Sequence, residues 1–163
     1  MVMECLRDYM RKGSINMEFI SAEEFSKQPV EVQKFFIDWW KPSFMDLLFH
    51  KNSNYTYLLN EDFIKYGSIN KQELINIGLI PLFTEGQLRK FIEDNTGCKV
   101  RLEPYQTSIG VKEIQINLVR GTCLSIGVSK PYYEERVYKC FSGLNTNAIK
   151  AYWKVAVKIA SQN

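Results

Sequence analysis

The C-terminal residues 145–160 have the clearest helical periodicity in this chain. At about 100° per residue, one side of a helix collects apolar side chains. These are Ile149, Tyr152, Trp153, Ala156, Ile159 and Ala160. Lys150, Lys154 and Lys158 fall almost opposite to them. The pattern predicts an amphipathic helix that packs on a core through its Trp153 side and turns its lysines to solvent.

The length and composition predict a single α+β domain spanning residues 1–163. A chain of 163 residues with 45% hydrophobic and 13% aromatic content can enclose one sizeable core. Residues 1–16 are either a short helix or a loose leader. No apolar run reaches the roughly 18 residues of a membrane span, and Glu4, Arg7 and Asp8 interrupt the start, where a signal peptide is apolar. We therefore expect a cytoplasmic protein without a membrane segment.

Local signals place helices in the first part of the chain. Ser21 followed by Glu24 forms a capping box, and Pro29 suits the first turn of a second helix that Pro42 prevents from continuing. Residues 47–50 and 55–59 are predicted to be two short strands of a hairpin around a polar turn. Residues 60–83 are ambiguous, and a short helix after Asn70 is one option. Another capping box at Thr84 predicts a helix that ends at residue 97.

From residue 98 onward the hydrophobic period changes from 3.6 to 2. Apolar and polar residues alternate around Val100, around Ile116 and again near residues 137–141. Consecutive strands without helices between them imply an antiparallel sheet that is polar on one face. The predicted fold is therefore α+β, with N-terminal helices, an antiparallel sheet mostly in the second half, and the C-terminal helix packed on that sheet.

The residues typical of catalysis and metal binding are sparse. His50 is the only histidine, so any histidine-dependent reaction centre must include it. The four cysteines, Cys5, Cys98, Cys123 and Cys140, contain no C-x-x-C pair, which favours reduced and mostly buried thiols. Adjacent carboxylates point in different directions, and no phosphate-binding glycine motif occurs. We expect no metal and no cofactor, and an enzyme only if His50 meets a distant carboxylate.

The aromatic run at residues 35–40 suggests a protein-binding surface. Phe35, Phe36, Trp39 and Trp40 cannot all face one side of a helix, because neighbours are about 100° apart. If Trp39 joins the core, Trp40 projects towards an edge beside Lys41, and exposed tryptophan is enriched at interfaces. The alternative is that the following loop, including Phe44 and Met45, covers Trp40. The sequence thus offers Trp40 and Lys41 as partner-binding residues.

The charge distribution suggests a second kind of surface. Residues 1–96 carry 11 basic and 14 acidic side chains, and residues 97–163 carry 10 basic and 4 acidic ones. A basic face formed by Lys150, Lys154, Lys158, Arg136 and Lys139, with Lys99 and Arg101 as additions, would contact phosphates. Tyr132, Tyr133 and Tyr138 would offer rings for base stacking. Nucleic-acid binding is therefore an alternative function, although exposed helix sides commonly carry lysines at this spacing.

Three segments carry a resemblance. They are FSKQPVEVQKFFIDWWKP at 25–42, IPLFTEGQLRKFIED at 80–94 and AYWKVAVKIA at 151–160. Together they resemble small uncharacterised proteins of phages and prophages of low-GC Gram-positive bacteria, over about a third of the chain. The resemblance implies a non-enzymatic accessory protein of the host-cell cytoplasm that binds and occludes a host or defence-system protein, anti-CRISPR inhibition included. It assigns no functional residue.

Overall fold

A computed structural model gives the fold. It describes residues 18–59, 70–106, 112–124, 132–142 and 147–162. Residues 1–16, for which the sequence left a short helix or a loose leader open, lie outside these ranges. The chain divides into two compact units, Met1–Thr84 and Glu85–Asn163, and each is described by itself. The predicted α+β class is confirmed, and the single-domain interpretation stays a prediction.

The first unit opens with the predicted pair of helices, α1 (Ala22–Ser26) and α2 (Val30–Trp39). The Ser21 hydroxyl accepts the Glu24 N–H at 3.1 Å, so the expected cap of α1 is present. Pro29 is the N-cap of α2, and Trp40 leaves the helix with extended backbone at φ −60° and ψ 132°. The Lys71 Nζ donates to the Ile37 and Asp38 carbonyls, both at 3.1 Å, which satisfies acceptors at the end of α2.

A three-stranded antiparallel sheet follows, in the order β2-β1-β3. The predicted hairpin of β1 (Leu47–His50) and β2 (Tyr55–Leu58) is confirmed. The ambiguous stretch contains α3 (Lys71–Asn76), capped by Asn70 as suggested, and then β3 (Leu79–Leu82), which we did not predict. Pro81 obscured β3, because proline cannot donate to a ladder. It is accommodated since β3 is an edge strand.

The core of this unit is an aromatic cluster around Phe83. The Phe83 ring centroid lies 5.3 Å from Phe36, 5.8 Å from Phe25 and 6.3 Å from Trp39. Phe36 and Phe83 are fully buried, whereas Trp39 is only partly buried. The helical pair therefore packs next to β3 through tilted rings, an arrangement that aromatic side chains favour over face-to-face stacking.

The second unit consists of two helices and a second three-stranded antiparallel sheet in its described residues. Its elements are α4 (Glu85–Thr96), β4 (Lys99–Gln106), β5 (Lys112–Leu124), β6 (Tyr132–Phe141) and α5 (Ala148–Ala160), with strand order β4-β5-β6. Gly97 follows α4 at φ +63°, the left-handed conformation in which glycine commonly ends a helix. The helix α5 contacts both α4 and β5, so the prediction that it covers the sheet is confirmed.

The two faces of α5 are as predicted. All six predicted core residues of α5 are buried, and the three lysines are exposed. Ala151 and Val155 are buried as well, which widens the buried arc because α5 packs against two neighbours rather than one. On the sheet, Gln115, Asn117 and Glu103 form a hydrogen-bonded polar row, with the Asn117 amide donating to Glu103 at 3.0 Å. Such a row fits the polar face expected of the sheet.

Candidate interaction surface

The expectation that Trp40 projects towards an edge is wrong. Its side chain is only 2% exposed, and its indole N–H donates to the Asp46 Oδ2 at 2.8 Å. The helix ends at Trp39, so the extended backbone of Trp40 turns its ring inward instead of continuing the helical rotation. Lys41 is exposed as predicted. Trp40 therefore holds the following loop in place rather than presenting a contact to a partner.

Residues 41–46 form a loop fixed by the carboxylate of Asp46. The Asp46 Oδ2 accepts the indole N–H of Trp40 and also the backbone N–H of Ser43 at 2.9 Å. The Asp46 N–H donates back to the Ser43 carbonyl at 3.1 Å, which closes a four-residue turn over residues 43–46. The Met45 N–H and the Asp46 carbonyl are bonded to Leu59, each at 2.8 Å. Hydrogen bonds to Trp40 and to Leu59 thus hold the loop in place.

Burial gives Asp46 an unusual ionisation. Desolvation raises the pKa of its carboxyl above 3.8, although the hydrogen bonds from Trp40 and Ser43 oppose the shift. The folded protein therefore holds the Asp46 proton to a higher pH than the unfolded chain does. The stability that this proton contributes is fully present below the unfolded pKa and is lost as the pH rises through the folded pKa.

We expect Asp46→Asn to become progressively more stable relative to the wild type as the pH rises through that interval. The asparagine amide oxygen can accept both hydrogen bonds without a buried charge. Denaturant titrations of the two proteins from about pH 3 to pH 7 measure the difference in the free energy of unfolding. Asp38→Asn on the exposed side of α2 is the control. An Asp46→Asn difference that is constant with pH would contradict the assignment.

The turn presents two large apolar side chains to solvent. Phe44 is 49% exposed and Met45 is 46% exposed, and they occupy the two central positions of the 43–46 turn. Met45 has a φ of +68°, a conformation in which this turn position usually carries glycine or asparagine. A side chain in the left-handed region costs about 1–2 kcal/mol. The loop thus holds an exposed methionine despite a local conformational cost.

The alternative offered by the sequence was that the following loop or the Phe44 and Met45 segment covers Trp40. Trp40 is indeed buried, but the side chains of Phe44 and Met45 are themselves about half exposed. The sequence signal for an exposed pair was the composition of the residues around it. Two large apolar residues stand between Pro42 and Asp46, in a segment whose other residues are typical of turns. The exposure of both side chains accompanies the turn that Ser43 and Asp46 close, and the local sequence does not specify that turn.

Two lysines of the predicted basic face lie close together in the second unit. Lys139 on β6 and Lys158 on α5 lie over the same ring, with their Nζ atoms 5.3 and 5.5 Å from the Phe141 centroid. Lys150 and Lys154 continue the exposed stripe along α5. The side chains of Arg136, Tyr132, Tyr133 and Tyr138 lie outside what the structure describes. Nucleic-acid binding by this face stays a prediction.

His50 has a structural setting. It is 4% exposed, and its Nε2 donates to the Ile77 carbonyl at 2.9 Å, because a carbonyl can only accept. Its Nδ1 then accepts from the Ser53 backbone N–H at 3.3 Å and from the Ser53 hydroxyl at 2.7 Å. Within the described residues, no carboxylate hydrogen-bonds to the ring. Both nitrogens serve to join the hairpin turn to the end of α3, and an enzyme site at His50 stays a prediction.

The remaining chemistry-bearing groups do not assemble a site. Cys98 is buried, as expected, whereas Cys140 is exposed on β6, and both are free thiols. Cys5 and the Cys123 side chain lie outside the described part of the chain. In the described ranges, no three His, Cys, Asp or Glu side chains are placed to hold a metal ion. None of the helices described above combines the length and the apolar character needed to cross a bilayer.

Comparisons of the chain with protein-family models, with curated proteins and with solved structures give no match.

Proposed function

We propose that the protein is a non-enzymatic binding module that contacts another protein through the docking loop, defined as residues 41–46, and thereby occludes the partner's surface. The observation that carries the proposal is the pair of consecutive, half-exposed apolar side chains, Phe44 and Met45, on a turn fixed by hydrogen bonds. Exposed apolar residues that cluster are a common mark of protein contacts.

The rigidity of the docking loop supports this function. Binding requires flexible side chains and loops to become ordered, at a cost of about 0.5–1.5 kcal/mol for each immobilised side chain. In this loop the backbone is already held by Trp40, Asp46 and Leu59. A partner would gain the contacts of Phe44 and Met45 with little further ordering of the chain. The positive φ of Met45 fits the same view, because strained backbone is concentrated at functional sites.

The chemistry of the docking loop defines the partner surface that would fit it. Phe44 and Met45 require an apolar pocket, and methionine adapts to irregular pockets because its side chain is unbranched and polarisable. Lys41 is exposed at the start of the same loop and would face a carboxylate at the rim of that pocket. We therefore propose a partner with an apolar depression beside acidic residues.

The partner class in this proposal follows from the resemblance to phage and prophage proteins. Accessory proteins of that class act in the host cytoplasm, and the partner we propose is a host or defence-system protein. Inhibition of a CRISPR effector is one form that such occlusion can take. The resemblance supports this assignment by analogy, and the exposed loop supports it by its chemistry.

A double variant, Phe44→Ser with Met45→Gly, tests the proposal. We expect it to lose at least about 30-fold in affinity, since truncated hot-spot residues cost 2 kcal/mol or more. Its fold should persist, because glycine suits the positive φ of position 45 and serine is suited to a turn. The measurement is capture of partners from a lysate of a low-GC Gram-positive bacterium, followed by a binding isotherm with the purified partner.

Val30→Ser is the matched control, because Val30 is 73% exposed and its truncation removes an apolar surface side chain outside the docking loop. A stoichiometric protein retained by the wild type and by Val30→Ser, but lost by the double variant, supports the proposal. A partner that the double variant retains at wild-type affinity overturns it. Captured material that disappears on nuclease treatment also counts against it and favours the lysine face.

A further inference from the structure

A cavity of about 580 Å³ lies within the second unit, bordered by α4, by β4 and by the start of α5. Its volume is within the range of about 300–1,000 Å³ that is typical of small-molecule sites. Its apolar lining consists of Val100, Leu102, Val119 and Ala148. Its polar and charged lining consists of Glu85, Arg89, Lys99, Arg101 and Tyr152. The cavity therefore combines an apolar part with an excess of positive charge.

Tyr152 is the feature of this cavity that points to a ligand. The residue is only 3% exposed and lines the cavity, yet among the described residues none hydrogen-bonds to its hydroxyl. Among the described residues, every fully buried side-chain nitrogen and oxygen has a hydrogen-bond partner, so the Tyr152 hydroxyl is itself open to solvent, although the rest of its side chain is buried. We therefore take the hydroxyl to open into the cavity, where a ligand oxygen can accept its proton. Burial, together with the charge of Glu85, raises the pKa of Tyr152, so the hydroxyl stays protonated and available as a donor.

Two of the three cationic side chains of the cavity pair with one carboxylate. Glu93 contacts the Arg89 Nε at 3.3 Å and the Lys99 Nζ at 3.6 Å, and both cationic side chains are more than half exposed. Its Oε1 also accepts the Val100 N–H at 3.1 Å, which ties the carboxylate to the edge of β4. The thirteen-residue helix α5 begins at Ala148, and its positive N-terminal end adds to the potential in the cavity.

We propose that this cavity binds a small organic oxyanion, either a phosphate monoester or a carboxylate, that carries an apolar ring or chain. The anionic head would lie between Arg89, Lys99 and Arg101, where charge-assisted hydrogen bonds are strongest. The Tyr152 hydroxyl donates to an oxygen of the same ligand. The apolar body rests on Val100, Leu102 and Val119. This site is independent of the docking loop, so either proposal can fail alone.

Isothermal titration with four probes tests the assignment. Phenyl phosphate and benzoate are the two candidate ligand classes, inorganic phosphate supplies the head alone, and benzyl alcohol supplies an uncharged ring. We expect one of the first two to bind at least about tenfold more tightly than inorganic phosphate and benzyl alcohol. The arm that binds distinguishes a phosphate ligand from a carboxylate ligand.

Variants assign the binding to this cavity. Tyr152→Phe should weaken it about tenfold, while the stability of the free protein is unchanged or higher, because the lost hydroxyl has no hydrogen bond to any described residue. Lys99→Gln should weaken binding by a similar factor, and Lys34→Gln, an exposed lysine of α2, is its matched control. Wild-type affinity in Tyr152→Phe, or no saturation by either ligand up to about 10 mM, would overturn the proposal.

Discussion

Replacing Trp40 by alanine is expected to lower the free energy of unfolding of the first unit by about 3–5 kcal/mol. The side chain is 2% exposed, so its removal leaves a cavity of the size of an indole ring. The same substitution removes a donor from the buried Asp46 carboxylate. Denaturant unfolding followed by circular dichroism measures the loss. We expect any loss of partner binding in this variant to result from unfolding of the docking loop, and not from the loss of a direct contact between Trp40 and the partner.

Trp40→Phe separates the two parts of that effect. Phenylalanine keeps an aromatic ring in the core but cannot donate to Asp46, so we expect a smaller loss of about 1–3 kcal/mol. A loss below about 1 kcal/mol in Trp40→Ala, combined with a loss of partner binding, would contradict the structural role. That outcome would indicate that Trp40 contacts the partner directly, as its place in the aromatic run suggested.

Val155→Asp is expected to unfold the second unit, with a loss of more than about 4 kcal/mol. Val155 is fully buried on α5, where an aspartate would lose its hydration and place a charge in an apolar core. Thermal unfolding by circular dichroism and the fluorescence of Trp153 report on the change, since Trp153 is buried on the same helix.

Lys154→Asp is the matched control for this substitution. It introduces the same side chain one position earlier on α5, on the exposed lysine stripe, and should change stability by no more than about 1 kcal/mol. Equal effects at positions 154 and 155 would contradict the orientation of the helix. A well-folded Val155→Asp protein would show that the side of α5 that carries Ala151 and Val155 is not part of the core.

The functional proposals depend on residues that act together across the fold. Trp40 and Asp46 are buried and position the docking loop, whereas Phe44 and Met45 supply the contact. In the same way, Glu93 pairs with Arg89 and Lys99, and in our proposal the Tyr152 hydroxyl donates to the ligand. At both sites, buried or paired side chains position the exposed ones, and no known sequence motif marks either site.

Elements with local signals were predictable from the chain. The capping residues Ser21 and Asn70, the prolines that flank α2 and the glycine after α4 all act within a few residues of the helix end that they define. The strand β3 was missed because Pro81 is a local signal against a strand. Its place at the edge of the sheet, which makes proline acceptable, is a property of the pairing with β1.

The sequence by itself determined the class of the fold, the ends of most helices and the two faces of α5, because periodicity and capping involve residues close in the chain. Only the tertiary structure decided that Trp40 is buried, that Phe44 and Met45 are exposed and that no described residue hydrogen-bonds to the Tyr152 hydroxyl. These outcomes depend on contacts between residues that are distant in sequence or on the exact turn of the backbone. A residue type alone does not specify either.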